Sequence, residues 1–127
     1  MTTTPTTAPW WVRPGLDIDA DGRLRIAGQD AEALARDRGT PLFAYDRARF
    51  GESARTLQAA LAGTGLPYRV RFALKAAPQP EILSVFRGLG APGTPESVGI
   101  DACSPGEVVR ALECGWRPDE ISFTGTN

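Results

Sequence analysis

Residues 68–75 alternate with a period of two. Tyr68, Val70, Phe72 and Leu74 fall on one face and Arg69, Arg71, Ala73 and Lys75 on the other, the pattern of a strand with two unlike faces. Pro78 and Pro80 then end the strand and open a helix. Elsewhere the period lengthens to that of helices. Phe50, Ala54, Leu57 and Leu61 make one stripe, begun by Asp46 and ended by Gly63 or Gly65. Ile82, Leu83, Phe86 and Leu89 make a second, closing at Gly90. Val108, Val109 and Leu112 make a third, ended by Gly115 and opened by Ser104-Pro105-Gly106-Glu107, a capping box with proline at the first helical position. Residues 98–102 and 121–124 read as short strands, and residues 91–97, with two prolines and a glycine, as a loop.

The front of the chain reads differently. Residues 1–9 are threonine-rich and of low complexity, a disordered tail by composition. Trp10 and Trp11 offer an apolar anchor. Residues 16–26 predict a hairpin turning at Asp21-Gly22. Asp17, Asp19, Asp21 and Gly22 match the opening of a calcium-binding loop, but its twelfth position, which requires glutamate, is Gly28. Calcium is therefore not expected. Asp30 caps a short helix over residues 31–38 that Gly39 ends, and residues 41–45 predict a strand.

Strands alternating with helices of this length imply βαβ units and a parallel sheet, hence an α/β fold. Arg69 and Arg71 on the second strand face suit the inner wall of a closed barrel better than a second helical layer, and no glycine-rich phosphate loop follows any strand. A terminal strand at residues 121–124 leaves an open edge, so the chain is expected to be the front part of something longer.

Composition narrows the chemistry. The 127 residues carry 14 basic and 15 acidic side chains, for a net charge of -1, which argues against a nucleic-acid partner. No apolar run reaches membrane-spanning length, and the first residues lack the basic and apolar regions of a secretory signal, so the cytoplasm is expected. Histidine is absent and the two cysteines, Cys103 and Cys114, lack metal-binding spacing, so no metal site is expected. Lysine, carboxylate, thiol and phenol remain. Lys75, at the carboxyl end of its strand, stands where α/β folds keep their chemistry.

Four stretches, in order, carry a resemblance. They are Gly39-Thr40-Pro41-Leu42-Phe43-Ala44-Tyr45-Asp46, Leu74-Lys75-Ala76, Ile100-Asp101-Ala102-Cys103-Ser104-Pro105-Gly106-Glu107, and residues 111–125. Together they resemble the fold-type III pyridoxal-phosphate enzymes, in the ornithine/diaminopimelate/arginine decarboxylase branch. The resemblance implies the N-terminal, incomplete part of a (β/α)8 TIM-type barrel like that of alanine racemase, over residues 46–127, with residues 10–45 joining a β-rich domain. It implies pyridoxal 5'-phosphate as cofactor, held by Lys75 as an internal Schiff base, and an amino-acid substrate in a homodimeric enzyme. Racemisation by the same fold, or a non-catalytic cofactor-binding homologue, is the alternative to decarboxylation. Asp101 near the same rim either tunes charge beside the cofactor or helps cap the following helix. Ser104 and Glu107 are explained by the capping box, and Cys103 reads as a small buried residue. The family usually carries asparagine two positions after the lysine, where this chain has Ala77.

Overall fold

The computed structural model describes residues 9–125. The expected tail, apart from Pro9, lies outside the described residues. The chain divides into two compact units, residues 1–46 and 47–127.

In the first unit the hairpin forms as read. β1 (Leu16–Ile18) pairs antiparallel with β2 (Leu24–Ile26). Asp19 makes the turn, its Oδ1 accepting from the amides of Asp21 and Arg23 at 2.9 Å each. Asp17 bonds Arg25, its cross-strand partner. These aspartates thus have turn-forming and pairing roles. A further strand, β3 (Gln29–Asp30), joins β2 through Ala27-Gly28, both at positive φ, a two-residue turn that the sequence reading did not register. Asp30 caps α1 (Ala31–Arg38) through the Ala33 amide, and Gly39 ends it at φ 81°.

Two expectations fail here. Residues 41–45 form no strand, and Phe43 is 88% exposed. Strand-forming residues need a ladder partner, and no described residue supplies one. Nor do the tryptophans form a joint anchor: Trp10 is exposed, whereas Trp11 lines an apolar hollow with Leu16, Ile18 and Leu24.

The second unit comprises α2 (Arg47–Ala62), β4 (Val70–Ala73), α3 (Pro80–Arg87), β5 (Val98–Ala102), α4 (Pro105–Glu113) and β6 (Ile121–Phe123). The sheet is parallel in the order β4-β5-β6, with Ala73 opposite Asp101 and Asp101 opposite Ser122. Because opposed residues share a face, Val70, Phe72, Val98, Ile100 and Ala102 lie together beneath the helices. Arg71, Ala73, Gly99, Asp101 and Ser122 occupy the other side.

Leu74, Leu83 and Ile100 are fully buried on the helical side, each contributing about 1.5–3 kcal/mol. Phe72 and Phe86 stack at 4.2 Å, and Phe50 meets both edge-on. Trp116 closes the layer, its indole N–H donating to the Val98 carbonyl at 2.8 Å.

The helical stripes are less faithful to the pattern. In α2 the buried positions are Gly51, Ala54 and Gln58, while Leu57 is exposed. Small residues let α2 approach α3, for a Cβ on Gly51 would touch Val85 at 3.3 Å. In α4 the buried residue is Ala111, whereas Val109 and Leu112 are exposed. Contact with the sheet, rather than side-chain size, selects the inward face. Helix α3 ends at Arg87 with Gly88 as cap, short of Gly90. Gly90 instead lets the backbone close on Glu96, whose carbonyl carbon would lie 2.6 Å from a Cβ there.

Candidate functional site

Lys75 stands just beyond the strand that was expected to carry it. β4 stops at Ala73, and Leu74–Ala76 form a single turn of 3-10 helix, closed by the Ala77 amide donating to the Leu74 carbonyl. The cause is local. Pro78 keeps Ala77 out of the helical region, at φ -160° and ψ 88°, and the ladder with β5 ends at the Ala73–Asp101 pair. Lys75 therefore does not continue the face of Ala73. Buried Leu74 and Ala77 pin the turn on both sides of it. Lys75 itself is exposed and has no hydrogen bond or ion pair among the described residues. It is also the only lysine in the chain.

Asp101, half-buried, belongs to the same carboxyl rim. Its Oδ1 accepts from the Ser122 hydroxyl at 3.0 Å and its Oδ2 from the Thr124 hydroxyl at 3.3 Å. Capping of α4 falls to Ser104, whose Oγ accepts from the Glu107 amide. Glu107 does not return to the amide of Ser104 as a full capping box would; its Oε2 reaches one residue further back and accepts from the Cys103 amide at 2.9 Å. The Cys103 thiol is half-buried and lies 3.5 Å from the Thr124 hydroxyl. Ser122 and Thr124 were missed in the sequence. Ser122, the polar residue between Ile121 and Phe123, carried a period-two signal that would have placed it on the face of Asp101.

The groups with displaced pKa values lie elsewhere. The Arg117 side chain, by hydrogen bonding, holds Asp119 below the usual carboxylate range near the start of β6. The Ala33 amide does the same for Asp30. A 420 Å³ apolar cavity lies along β4, lined by Phe50, Leu57, Val70, Phe72 and Val98 among others, and includes neither Lys75 nor Asp101. Its lining includes the guanidinium groups of Arg49 and Arg71 but no lysine, carboxylate, thiol or phenol, so Lys75 and Asp101 at the rim remain the candidate groups.

Residues 47–127 match the family described as pyridoxal-dependent decarboxylase, pyridoxal binding domain. The chain belongs to the pyridoxal-dependent decarboxylases. It is similar to the diaminopimelate decarboxylase of Methanothermobacter thermautotrophicus, 40% identical over 114 residues, which cover 90% of this chain and 25% of that protein. The diaminopimelate decarboxylase of Pseudomonas fluorescens is 38% identical over 104 residues, 82% of this chain and 23% of that protein. That of Bacillus subtilis is 33% identical over 106 residues, 84% and 23% respectively. The chain thus spans about a quarter of the length of the curated relatives it matches. Pyridoxal phosphate is the cofactor of the matched domain, and the rim suits it: an accessible, unpaired primary amine is the group that reacts with an aldehyde. Among the described residues no helix is long and apolar enough to cross a membrane.

Proposed function

We propose that this chain is the front part of a larger pyridoxal-phosphate-dependent amino-acid decarboxylase acting on diaminopimelate, with Lys75 as the residue that holds the cofactor. One observation carries the assignment. Within the matched pyridoxal binding domain, the chain's only lysine is exposed, unpaired and fixed by a buried turn at the carboxyl end of β4. The names of the relatives support the substrate.

The finer architecture belongs to the same reading. Residues 46–127 form the first part of a (β/α)8 barrel, helices outside and the Arg71–Asp101–Ser122 face inside. Residues 10–45 belong to a β-rich domain. The apolar cavity along β4 then marks where a neighbouring barrel strand and its helix pack. The whole enzyme acts as a homodimer in the cytoplasm.

When bound, the cofactor supplies an electron sink for the bond to the departing carboxylate. The residues of this chain do the rest of what can be assigned to it. Lys75 would hold the cofactor aldehyde through Nζ and, with the substrate amine in place, would stay close enough to carry a proton at that nitrogen. Asp101 holds a negative charge at the same rim.

Release of carbon dioxide from carboxyl-labelled diaminopimelate by the full-length protein tests the reaction, with optical rotation followed in parallel. Stoichiometric carbon dioxide is expected. Loss of rotation without carbon dioxide would make the protein a racemase, and cofactor binding with neither would make it a non-catalytic homologue.

A further inference from the structure

We propose that Ser122 and Thr124 are positioning residues for the cofactor rim, holding the Asp101 carboxylate in one orientation toward the end of the sheet where Lys75 stands. The proposal rests on the reading of Lys75 as the cofactor's anchor.

The placement follows from register. Asp101 sits between Ala73 of β4 and Ser122 of β6, on the face turned away from the helices. Ser122 Oγ donates to one carboxylate oxygen at 3.0 Å and Thr124 Oγ1 to the other at 3.3 Å. Each oxygen is engaged by a different residue, the Ser122 hydroxyl also reaching the Ile100 carbonyl at 3.4 Å, and the two contacts together restrain rotation of the carboxylate. The second contact sets direction as well. Thr124 lies two residues beyond Ser122 toward the carboxyl end, so the carboxylate leans toward the rim.

That lean separates two possible cationic partners. Arg71 shares the face one residue pair nearer the start of the strands, opposite Gly99, whose surface its side-chain stem crosses. Lys75 stands past the other end, two residues after the partner of Asp101. Asp101 makes no ion pair with either among the described residues, and the α4 cap does not use it. Two neutral donors orient this carboxylate without neutralising it, so its charge serves the nitrogen at the rim. A fixed anion there stabilises positive charge on that nitrogen when the cofactor is joined to it.

A double-mutant cycle in the full-length protein tests this, read as the dissociation constant of pyridoxal phosphate and the position of its absorption band. Ser122→Ala should weaken cofactor binding about tenfold and move the band, since the hydrogen bond it removes is to a charged group. Thr124→Val, which removes only the hydroxyl, should act in the same direction. Ser122→Thr, which keeps a hydroxyl, should restore parental values. In an Asp101→Asn background, Ser122→Ala should add less than about twofold, because its effect passes through the missing charge. Equal losses in both backgrounds, or an unchanged dissociation constant in Ser122→Ala, would overturn the proposal. If the cofactor is found joined to Lys75 and the cycle is additive, only the clamp fails. If it is joined to another residue, the functional reading fails first.

Discussion

Replacing Glu107 with alanine decides whether the box after β5 is scaffold or site. The carboxylate makes two contacts. Its Oε2 accepts from the Cys103 amide at 2.9 Å and its Oε1 from the Ser104 hydroxyl at 3.3 Å. A hydrogen bond from a backbone amide to a carboxylate contributes about 1.5–3 kcal/mol when shielded from water. Cys103 and Glu107 are only half-buried, so the low end applies. The long bond to Ser104 adds a few tenths at most. Glu107→Ala should therefore destabilise the full-length protein by about 2 kcal/mol. Ser104→Ala, which removes the acceptor for the Glu107 amide, should cost about 1 kcal/mol. The two share a contact, so the double variant should lose less than the sum. Urea titration followed by circular dichroism gives the stabilities, and absorbance titration gives the cofactor dissociation constant, which should change by less than about threefold. A loss of affinity of about a hundredfold with stability unchanged would show that the pair touches the cofactor, and would refute the scaffold argument.

Three further outcomes follow from local geometry. Gly99→Ala would place a Cβ 2.6 Å from the Glu120 carbonyl oxygen and 3.2 Å from Arg71 Cγ; backbone cannot yield as a side chain can, so a loss of about 1–3 kcal/mol is expected, and an unchanged urea midpoint would contradict it. Asp30 has a folded-state pKa below its ordinary value, through the Ala33 amide first. Its contribution is therefore complete above the unfolded carboxylate pKa and disappears as pH falls through the lowered one. Amide exchange in α1 should differ between the parent and Asp30→Ala at neutral pH and converge in strong acid; persistence of the difference there would refute the cap as its source. Deleting Pro92 and Gly93 shortens the loop before β5, at the opposite end of the sheet from Lys75, so turnover of the full-length enzyme should stay within a few-fold. A drop of about a hundredfold in a folded variant would place that loop at the site.

Much of this fold is legible locally. The Ser104 cap, the Asp30 cap and the turn at Gly22 appear as read, because each is decided by residues a few positions apart, while the reciprocal bond of the expected box shifts from Ser104 to Cys103. The parallel sheet follows from the alternation of elements. Readings that depended on distant partners went astray. Residues 41–45 have strand chemistry and no described strand beside them. Leu57, Val109 and Leu112 are large and apolar, yet the faces covered in this chain are those of Ala54, Gln58 and Ala111. Lys75 was singled out by type and place, but the alternation ran on through it, whereas the chain turns under the influence of Pro78. The period-two signal of Ser122 gives its face, but its partnership and that of Thr124 with Asp101 emerge only when β6 is laid beside β5.

Borohydride reduction of the full-length protein with its cofactor bound, followed by tryptic mapping, tests the central assignment most directly. Trypsin cuts after Arg71, Lys75 and Arg87 in the native sequence, and a modified lysine resists cleavage. An intact peptide of residues 72–87 carrying the reduced pyridoxyl group on Lys75 is expected. Complete cleavage at Lys75, with the adduct on another residue of the protein, would contradict it.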